Sequence, residues 1–223
     1  TVSHRYVSTK IMPNLFSKYG RVTYSLPFNY GKYFFVHASG TARFADLQNW
    51  LPVDEEGVVR IYTTADAAVG SCTASQNDTI LLLPGHTETL TSATGLVVDV
   101  RGVRIQGLGW GRTRPRFDFD NTAATIEMDA ADCTLENVVL RATVSAVVVG
   151  VNIDNSDILF KDVEFNFDAT GDDFVTMIDA TTSGIGFHII DCSLYAEAIA
   201  GAARGIYLSA SHETVIRNCI IMG

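Results

Sequence analysis

The first 45 residues of this 223-residue chain contain no aspartate and no glutamate. They do contain six cations, and because the whole chain has a net charge of −9, the remaining residues carry −15. The six cations are Arg5, Lys10, Lys18, Arg21, Lys32 and Arg43. An acidic remainder would repel phosphate, so we expect no nucleic-acid partner. The charge split indicates that the two parts of the chain face different kinds of surface.

Long apolar segments are also absent. No apolar run reaches the length of about eighteen residues that a membrane-spanning helix needs, and the amino terminus lacks a short apolar core with a cleavage site. We therefore expect no membrane partner and no signal-peptide export.

Cysteines are few and scattered, at Cys72, Cys133, Cys192 and Cys219. Their spacing fits neither a disulfide framework nor paired metal ligands, so we expect buried free thiols. The histidines show no ligand spacing either. We expect no metal and no cofactor.

One pattern recurs five times between residues 96 and 223, at intervals of 25 to 30 residues. Its markers are Gly107, Asn137, Asp162, Asp191 and Asn218. The residues two positions before each marker are Ile105, Leu135, Phe160, Ile189 and Ile216, and those one position after are Leu108, Val138, Val163, Cys192 and Cys219. Apolar residues alternate with others on both sides of the marker, which indicates strands with one buried face.

The markers belong to the residue types that tolerate a left-handed backbone, which predicts a sharp bend between two strands. A third short strand precedes the bend in three units and is followed by Asp99, Asp129 or Asp154. Three strands per unit at a fixed period predict an all-β, right-handed parallel β-helix of about five to six coils. Phe160 is expected to point inward, so that Phe160→Asp would unfold the domain.

Residues 65 to 72 are predicted to form a short helix, with Thr64 as its N-cap. A short helix before the first coil can cover the open end of the solenoid. We therefore divide the chain into an attachment region at 1–60 and a β-helix at 61–223.

Two segments carry the resemblance to known proteins. Residues 78–90 (DTILLLPGHTETL) and 96–111 (LVVDVRGVRIQGLGWG) resemble the first coil of the pectin lyase-like β-helix superfamily. The run from residue 31 (GKYFFVHASG) to residue 90 is similar to β-helix proteins among the virion genes of tailed bacteriophages. The superfamily contains polysaccharide lyases, hydrolases and inert scaffolds, so the resemblance implies the fold and leaves activity open.

The amino-terminal 45 residues also hold ten of the 22 aromatic residues. Basic residues interleaved with aromatics can bind nucleic acid, form a protein interface, or be a small folded subdomain. We favour the interface. The predicted partner-binding residues are Arg5, Lys10, Lys18, Arg21, Tyr30, Lys32, Tyr33, Phe34, Phe35 and Arg43. A variant beginning near Asp46 is then expected to keep its β-helix but lose attachment.

Three carboxylate groupings could carry chemistry. Asp99, Asp129 and Asp154 would stack about 5 Å apart, which fits turn capping, a cation site or a paired-carboxylate site. The bend residues Asn137, Asp162, Asp191 and Asn218 are interpreted as a structural ladder. Segments 109–121 and 167–173 are predicted to be loops that leave the solenoid. No catalytic residue is assigned from the sequence.

The function expected from these observations is a bacteriophage virion structural protein, located in the virion after synthesis in the host cytoplasm. It would be a homotrimeric capsid decoration protein that docks on a capsid or other virion protein through its basic region and is not an enzyme. The alternative is a tailspike-type depolymerase or polysaccharide lyase acting on host surface glycans, with Asp162, Asp191 or the 168–173 loop supplying carboxylates. A last coil without a cap implies either an oligomer partner or a longer chain.

Overall fold

The computed structural model is a parallel β-solenoid of about six coils with very little helix. It describes residues 31–38, 51, 57, 59–181, 184–196, 204–209 and 212–222. Six of the predicted partner-binding residues lie outside these ranges: Arg5, Lys10, Lys18, Arg21, Tyr30 and Arg43. The predicted all-β parallel solenoid is confirmed.

The strands follow one another with one short helix near the start. They are β1 Tyr33–Val36, β2 Ile61–Tyr62, α1 Ala65–Val69, β3 Thr79–Leu82, β4 Thr87–Leu90, β5 Leu96–Val97, β6 Arg104–Gly107, β7 Arg116–Phe119, β8 Ile126–Met128, β9 Thr134–Ala142, β10 Val147–Ile153, β11 Leu159–Phe167, β12 Phe174–Ala180, β13 His188–Ile190, β14 Ser193–Tyr195, β15 Arg204–Leu208, β16 Val215–Arg217 and β17 Ile220–Met222. A single 3₁₀ turn, Gly111–Thr113, lies between β6 and β7.

The described strands form two parallel sheets. The larger sheet runs β16-β13-β11-β9-β6-β3-β1-β2. Four further strands belong to it but lie off this path: β7 pairs with β4 and β9, and β14 pairs with β11 and β17. The smaller sheet runs β15-β12-β10-β8-β5. Each strand pairs with the equivalent strand one coil away, for example Phe160 with Leu135 and with Ile189. This pairing stacks like residues into columns along the solenoid axis.

The inward columns are those that the repeat predicts. The solvent accessibility is 1% or less for each of Leu135, Val138, Phe160 and Val163. Phe160 packs edge-on against Phe187 one coil later, at 5.3 Å between ring centroids. In the last described coil Ile216, two positions before the marker, is 46% accessible, and Ile221, three positions after it, is 56% accessible.

Four of the five bend markers have left-handed backbones. The φ angles of Asn137, Asp162, Asp191 and Asn218 lie between 51° and 56°. Gly107 is the exception, since it is absent from the positive-φ residues among those described. It must be glycine for another reason: a Cβ atom there would lie 2.0 Å from the carbonyl oxygen of Asn137.

The predicted loop at 109–121 is wrong in its second half. Residues 116–119 form β7, which pairs with β4 and β9, and Phe117 and Phe119 are fully buried. The alternation of Arg116, Phe117, Asp118 and Phe119 is the strand period of two. The sequence predicts a loop for these residues because arginines and a proline surround them.

The predicted helix is present and ends at Val69, three residues early. Thr64 caps it, because its Oγ1 accepts a hydrogen bond from the Ala67 N–H. Glu88 adds a second cap, since its Oε2 accepts from the Ala65 N–H at 2.8 Å. The helix packs against β1, β2, β3 and β5, as a lid on the first coil would.

The amino-terminal region enters the core at β1. Phe34 is fully buried and Phe35 is 4% exposed, and β1 pairs with both β2 and β3. These two side chains are therefore not available to a partner protein. The described solenoid includes β1, which lies within the segment predicted to be the attachment region, because Phe34 and Phe35 are more stable buried than exposed.

The described cysteines are all free thiols. Burial raises the pKa of the Cys192 thiol to about 12, so it packs as a small apolar group. No helix in the described parts of the chain has the length and apolar character needed to cross a membrane.

Candidate functional site

The outward face of the larger sheet carries carboxylates that are matched by cations. The Glu136 carboxylate, on β9, is bonded to Arg104 of the previous coil and, at 3.0 Å, to Lys161 of the next. Burial alone would raise the pKa of Glu136, but the hydrogen bonds from Arg104 and Lys161 outweigh it and hold this pKa below its ordinary value. This carboxylate belongs to an ion-pair network across three coils.

Asp118 is neutralised in the same way. Its Oδ1 lies 2.8 Å from Nε of Arg141, which also contacts Asp168, and 2.8 Å from Nε of Arg116. These contacts place Arg141 beside acidic groups, a position that the sequence left undetermined. Because both carboxylates are paired, we interpret this group as structural.

The outward face of the smaller sheet is different. Its strands align Glu127 of β8 with Asn152 of β10 and Asp179 of β12, and then with Tyr207 of β15. The period-two alternation of these strands sends their side chains outward between buried neighbours such as Met128. Asp129 and Asp154 follow at the ends of β8 and β10.

Glu127, Asp129 and Asp154 form what we call the carboxylate cluster. One carboxylate oxygen from each lies within 4.8 Å of the others. The cluster is half-buried at Glu127 and exposed at the two aspartates. None of the three forms a salt bridge with any described residue. The contrast with the larger sheet is that negative charge is concentrated here without a matching cation.

Hydrogen bonds fix the orientation of two members. The amide Nδ2 of Asn152 donates to Oε2 of Glu127 at 2.8 Å and to Oδ2 of Asp154 at 2.9 Å. The hydroxyl of Thr181, one coil further on, donates to Oδ1 of Asp154 at 2.7 Å. Both oxygens of Asp154 are thus held by neutral donors.

The electrostatics of the cluster favour protonated carboxyls. Burial raises the pKa of Glu127, and the charges of Asp129 and Asp154 raise it further, against a lowering hydrogen bond from Asn152. Burial and the charges of Asp154 and Asp99 raise the pKa of Asp129. Asp179, in the next coil, also has a raised pKa, from burial and from Asp154. Charges of one sign held together are a hallmark of functional sites.

A cation and an aromatic ring stand at one end of this face. The Arg204 guanidinium lies 5.0 Å from the centre of the Tyr207 ring, which is 42% exposed. The charge of Arg204 opposes the rise in the Asp179 pKa, which places it within electrostatic reach of that carboxylate. The smaller sheet therefore presents carboxylates, an amide, a hydroxyl, an arginine and an exposed aromatic ring.

Two kinds of chemistry fit this arrangement. Three clustered carboxylates can bind a divalent cation, because Ca²⁺ prefers oxygen ligands. A carboxyl that keeps its proton beside a second, ionised carboxylate can also act as an acid–nucleophile pair on a glycosidic bond.

The residues singled out from the sequence are distributed over several surfaces. Asp129 and Asp154 of the predicted aspartate column are in the cluster. Asp99, the third member of the column, is outside the cluster, but its charge raises the pKa of Asp129. In the acidic loop, Asp173 accepts from the Ala146 N–H at 2.6 Å and Asp172 from the Ala169 N–H at 3.2 Å, so they shape the turn. His188 is exposed.

The four residues predicted to form a structural ladder have different hydrogen-bond partners. Asn218 donates to Oδ1 of Asp191 at 3.1 Å, which is a bond between neighbouring members. Asn137 instead donates to the backbone carbonyls of Gly107 and Gly109, at 2.8 and 3.0 Å. The backbone carbonyl of Asp162 accepts from Arg114.

Of the predicted partner-binding residues within the described ranges, Lys32 is exposed and Tyr33 is half-buried. The Lys32 backbone N–H donates to the buried Asp78 carboxylate at 2.7 Å. Attachment through this region stays a prediction.

The sequence did not indicate Glu127 and Asn152. The available signal was their position two residues before Asp129 and Asp154, on the same outward face of the strand. The aspartates recur in three units and therefore form a recognisable column, whereas Glu127 and Asn152 differ in residue type.

Comparison with known proteins supports the fold. A rhamnogalacturonan lyase of known structure superposes with a TM-score of 0.52 at 14% identity, over 85% of this chain and 51% of its own. This chain thus spans about half the length of that enzyme. A proposed glycosyl hydrolase from Parabacteroides merdae gives a TM-score of 0.46 at 15% identity, over 67% of this chain and 74% of its own. No family model and no curated protein matches the chain.

The architecture shared with the rhamnogalacturonan lyase is a parallel β-solenoid. At these identities the similarity establishes the fold alone, and it says nothing of a bacteriophage.

Proposed function

We propose that this protein is a glycan-cleaving enzyme, a glycoside hydrolase whose active centre is the carboxylate cluster. The observation that carries the proposal is the cluster itself: three carboxyl groups within 4.8 Å of one another without a salt bridge among the described residues. Elsewhere on the described surface, the carboxylates of Glu136 and Asp118 are neutralised by cations. Unpaired acidic groups at this separation cost stability, which indicates that they serve another purpose.

Glu127 is assigned as the proton donor. Its raised pKa keeps a proton on the carboxyl at a pH where an ordinary glutamate has lost it. Asp154 is assigned as the nucleophile, because Asn152 and Thr181 hold both of its oxygens without neutralising its charge. Asp129 contributes the negative charge that keeps Glu127 protonated.

The reaction that follows has two steps. Glu127 gives its proton to the glycosidic oxygen while Asp154 attacks the anomeric carbon, so the C–O bond breaks and a glycosyl ester forms on Asp154. A water molecule then attacks the ester, Glu127 takes a proton from that water, and the sugar leaves. A separation near 5 Å is typical of enzymes that retain the anomeric configuration, whereas inverting enzymes need about 6.5 to 9.5 Å.

A second candidate is a cation-dependent polysaccharide lyase. The observation in its favour is Arg204, a basic group beside Asp179 on the same face as the cluster. In this case the cluster would hold a divalent cation that binds an acidic sugar, and Arg204 would lie on the side from which a proton is removed. The shared fold with a rhamnogalacturonan lyase is compatible with either candidate.

The test is incubation of the purified protein with a panel of neutral and acidic polysaccharides. Hydrolysis produces reducing ends without a new double bond, whereas elimination produces an unsaturated sugar that absorbs ultraviolet light. Glu127→Gln and Asp154→Asn should each abolish cleavage, and Asp132→Asn, a change to an exposed carboxylate paired with Arg101, should not. No cleavage of any polysaccharide by the wild-type protein would contradict the proposal.

The virion role expected from the sequence, with its homotrimer and capsid partner, gains no support from the described residues or from the comparisons. It stays a prediction, tested by whether the protein is found in purified particles. The enzymatic alternative is the better supported of the two.

A further inference from the structure

The coil that begins at β6 contains an insertion whose apolar residue points to solvent. In later coils the residue three positions after the marker is buried, as with Leu140, Phe165 and Leu194. In this coil the equivalent residue is Trp110, and it is 74% exposed. The inward position opposite Leu140 is filled instead by Phe117. The core is therefore complete without the Trp110 indole.

The loop carrying Trp110 is firmly held to the solenoid. Asn137 donates to the carbonyls of Gly107 and Gly109, and the Gly85 N–H donates to the Thr113 carbonyl at 2.7 Å. At the far end, Arg114 bonds to Glu164 and to the Asp162 carbonyl. A loop with this many bonds to neighbouring coils presents its side chains in a fixed arrangement.

Two positions in this loop have backbone conformations that favour glycine. Gly109 has φ +118°, and a Cβ atom there would lie 2.5 Å from the Thr113 carbonyl oxygen. Gly111 has φ +54°, a left-handed value that favours glycine. These glycines flank Trp110 directly, so the exposed position of the indole is set by the backbone.

The charge around the indole is also specific. Of the three arginines in the loop and the strand that follows, Arg114 pairs with Glu164 and Arg116 with Asp118. Arg112 is exposed and forms no ion pair among the described residues. The loop thus offers a flat aromatic face and a free guanidinium two residues apart.

We propose that Trp110 and Arg112 form a binding site for an anionic sugar unit of a glycan. The C–H groups on one face of a sugar ring carry partial positive charge and pack on the negative face of an indole. The guanidinium binds a carboxylate or sulfate through paired N–H donors. An aromatic ring on a rigid loop loses little conformational entropy on binding.

A protein interface fits these observations less well. Trp and Arg are common at the centre of such an interface, but there they are surrounded by other apolar side chains that exclude water. Of the other apolar residues that are at least half exposed in the described chain, Ile220, Ile221 and Met222 lie in the last coil and Val148 lies on β10 of the smaller sheet, so none is a sequence neighbour of Trp110. Trp110 is flanked by glycines and followed by Arg112, so it is a single apolar platform in a polar setting.

The experiment is a binding titration of the full chain, by calorimetry and indole fluorescence. The probes are a sulfated oligosaccharide, an oligosaccharide of uronic acids and a neutral oligoglucan. We expect the anionic probes to bind, and the sulfated and uronic probes show which anion is preferred. Trp110→Ala should weaken this binding by about tenfold or more, Trp110→Tyr should weaken it less, and Arg112→Gln should remove the preference over the neutral probe.

Two controls separate this site from others. Arg101→Gln changes an arginine that is 61% exposed and paired with Asp132, and it should leave binding unchanged. Glu127→Gln should abolish cleavage without affecting binding, so the failure of one proposal is distinguishable from the failure of the other. Melting should be unchanged in Trp110→Ala, because the indole is not in the core.

The proposal is overturned if no probe binds the wild-type protein, or if Trp110→Ala binds the anionic probes as tightly as wild type does. It is also overturned, in favour of a protein interface, if Trp110→Ala loses self-association while its sugar binding is unchanged.

Discussion

The side-chain amide of Asn152 lies 2.8 Å from the carboxylate of Glu127, one coil earlier in the solenoid. The same nitrogen lies 2.9 Å from Asp154, so one neutral group holds two acidic groups apart. Asn152 is on an outward column between buried residues of β10. The geometry of the proposed active centre therefore depends on the register of the smaller sheet.

Replacing Asn152 with Leu should raise the pKa of Glu127 further. The hydrogen bond from Asn152 favours the ionised form of Glu127, and its removal leaves burial and neighbouring charge unopposed. Titration of the Glu127 carboxyl by NMR measures the change. The control is Asn155→Ala, since Asn155 bonds to the backbone carbonyl of Asp129 and to no carboxylate of the cluster. An unchanged Glu127 titration in Asn152→Leu would contradict the assigned contact.

The cluster should make the protein less stable as pH rises. A carboxyl with a folded pKa above its unfolded value binds more protons in the folded state, so the free energy of unfolding falls as pH rises from about 4 through the raised pKa. We expect Glu127→Gln to have a higher Tm than wild type at pH 7, and the two proteins to converge at pH 3. A wild-type Tm equal to or above that of Glu127→Gln at pH 7 would argue against this electrostatic cost.

A divalent cation should relieve the same cost if the cluster binds one. Ca²⁺ would then raise the Tm of wild type in proportion to the logarithm of its concentration once the site is saturated. A chelator would reverse the effect, and Asp129→Asn with Asp154→Asn would remove it. A Ca²⁺-independent Tm together with active hydrolysis would exclude the lyase candidate in favour of the hydrolase.

Glu136 should show the opposite pH dependence. Its folded pKa is lowered by Arg104 and Lys161 despite burial, so its contribution is present above the unfolded pKa and is lost as pH falls below about 4. Glu136→Gln should reduce the free energy of unfolding at pH 7 by roughly 1 kcal/mol, since both partners are partly exposed. Chemical denaturation at pH 7 and pH 3 tests this, and an equal difference at both values would contradict it.

Phe160→Asp should unfold the solenoid, as the repeat predicts. The side chain is fully buried and packs on Phe187, and an unpaired carboxylate there has no partner. Phe160→Leu is the matched control and should cost less than about 2 kcal/mol. Circular dichroism melting distinguishes them, and a wild-type melt for Phe160→Asp would disprove the register.

A chain that begins near Asp46 should be strongly destabilised, contrary to the expectation from sequence. It lacks β1, and with it Phe34 and Val36, which are fully buried in the main core. Phe34→Ala tests the same contact within the full chain and should cost roughly 3–5 kcal/mol. If the shortened chain melts like the full-length protein, β1 does not belong to the cooperative core.

The repeat in the sequence was sufficient to predict the solenoid. A period of 25 to 30 residues with alternating apolar positions admits few other folds, because each coil can bury its apolar face only against the next. The bends could be predicted from single residues, because Asn and Asp tolerate the left-handed backbone that Asn137 and Asp162 adopt. Helix α1 was predicted from its own cap, which is also a local signal.

Local pattern failed where burial is decided by distant contacts. Phe34 lies in a basic, aromatic segment that is typical of an interface, yet it packs under the first coil. Residues 116–119 lie among arginines and after a proline, yet they form a core strand, because Phe117 and Phe119 fill the inward positions opposite Leu140 and Ala142.

The sequence by itself therefore determined the coil, its period and its bends, since each depends on residues close together in the chain. The tertiary structure alone decided which charges meet. Whether an outward carboxylate faces a cation or another carboxylate depends largely on side chains one coil away, at sequence separations that reach 32 residues between Arg104 and Glu136. Glu136 faces Arg104 and Lys161, whereas Glu127 lies beside Asp129 and Asp154, and Coulomb interaction between stacked coils makes the first a stabilising pair and the second a candidate active centre.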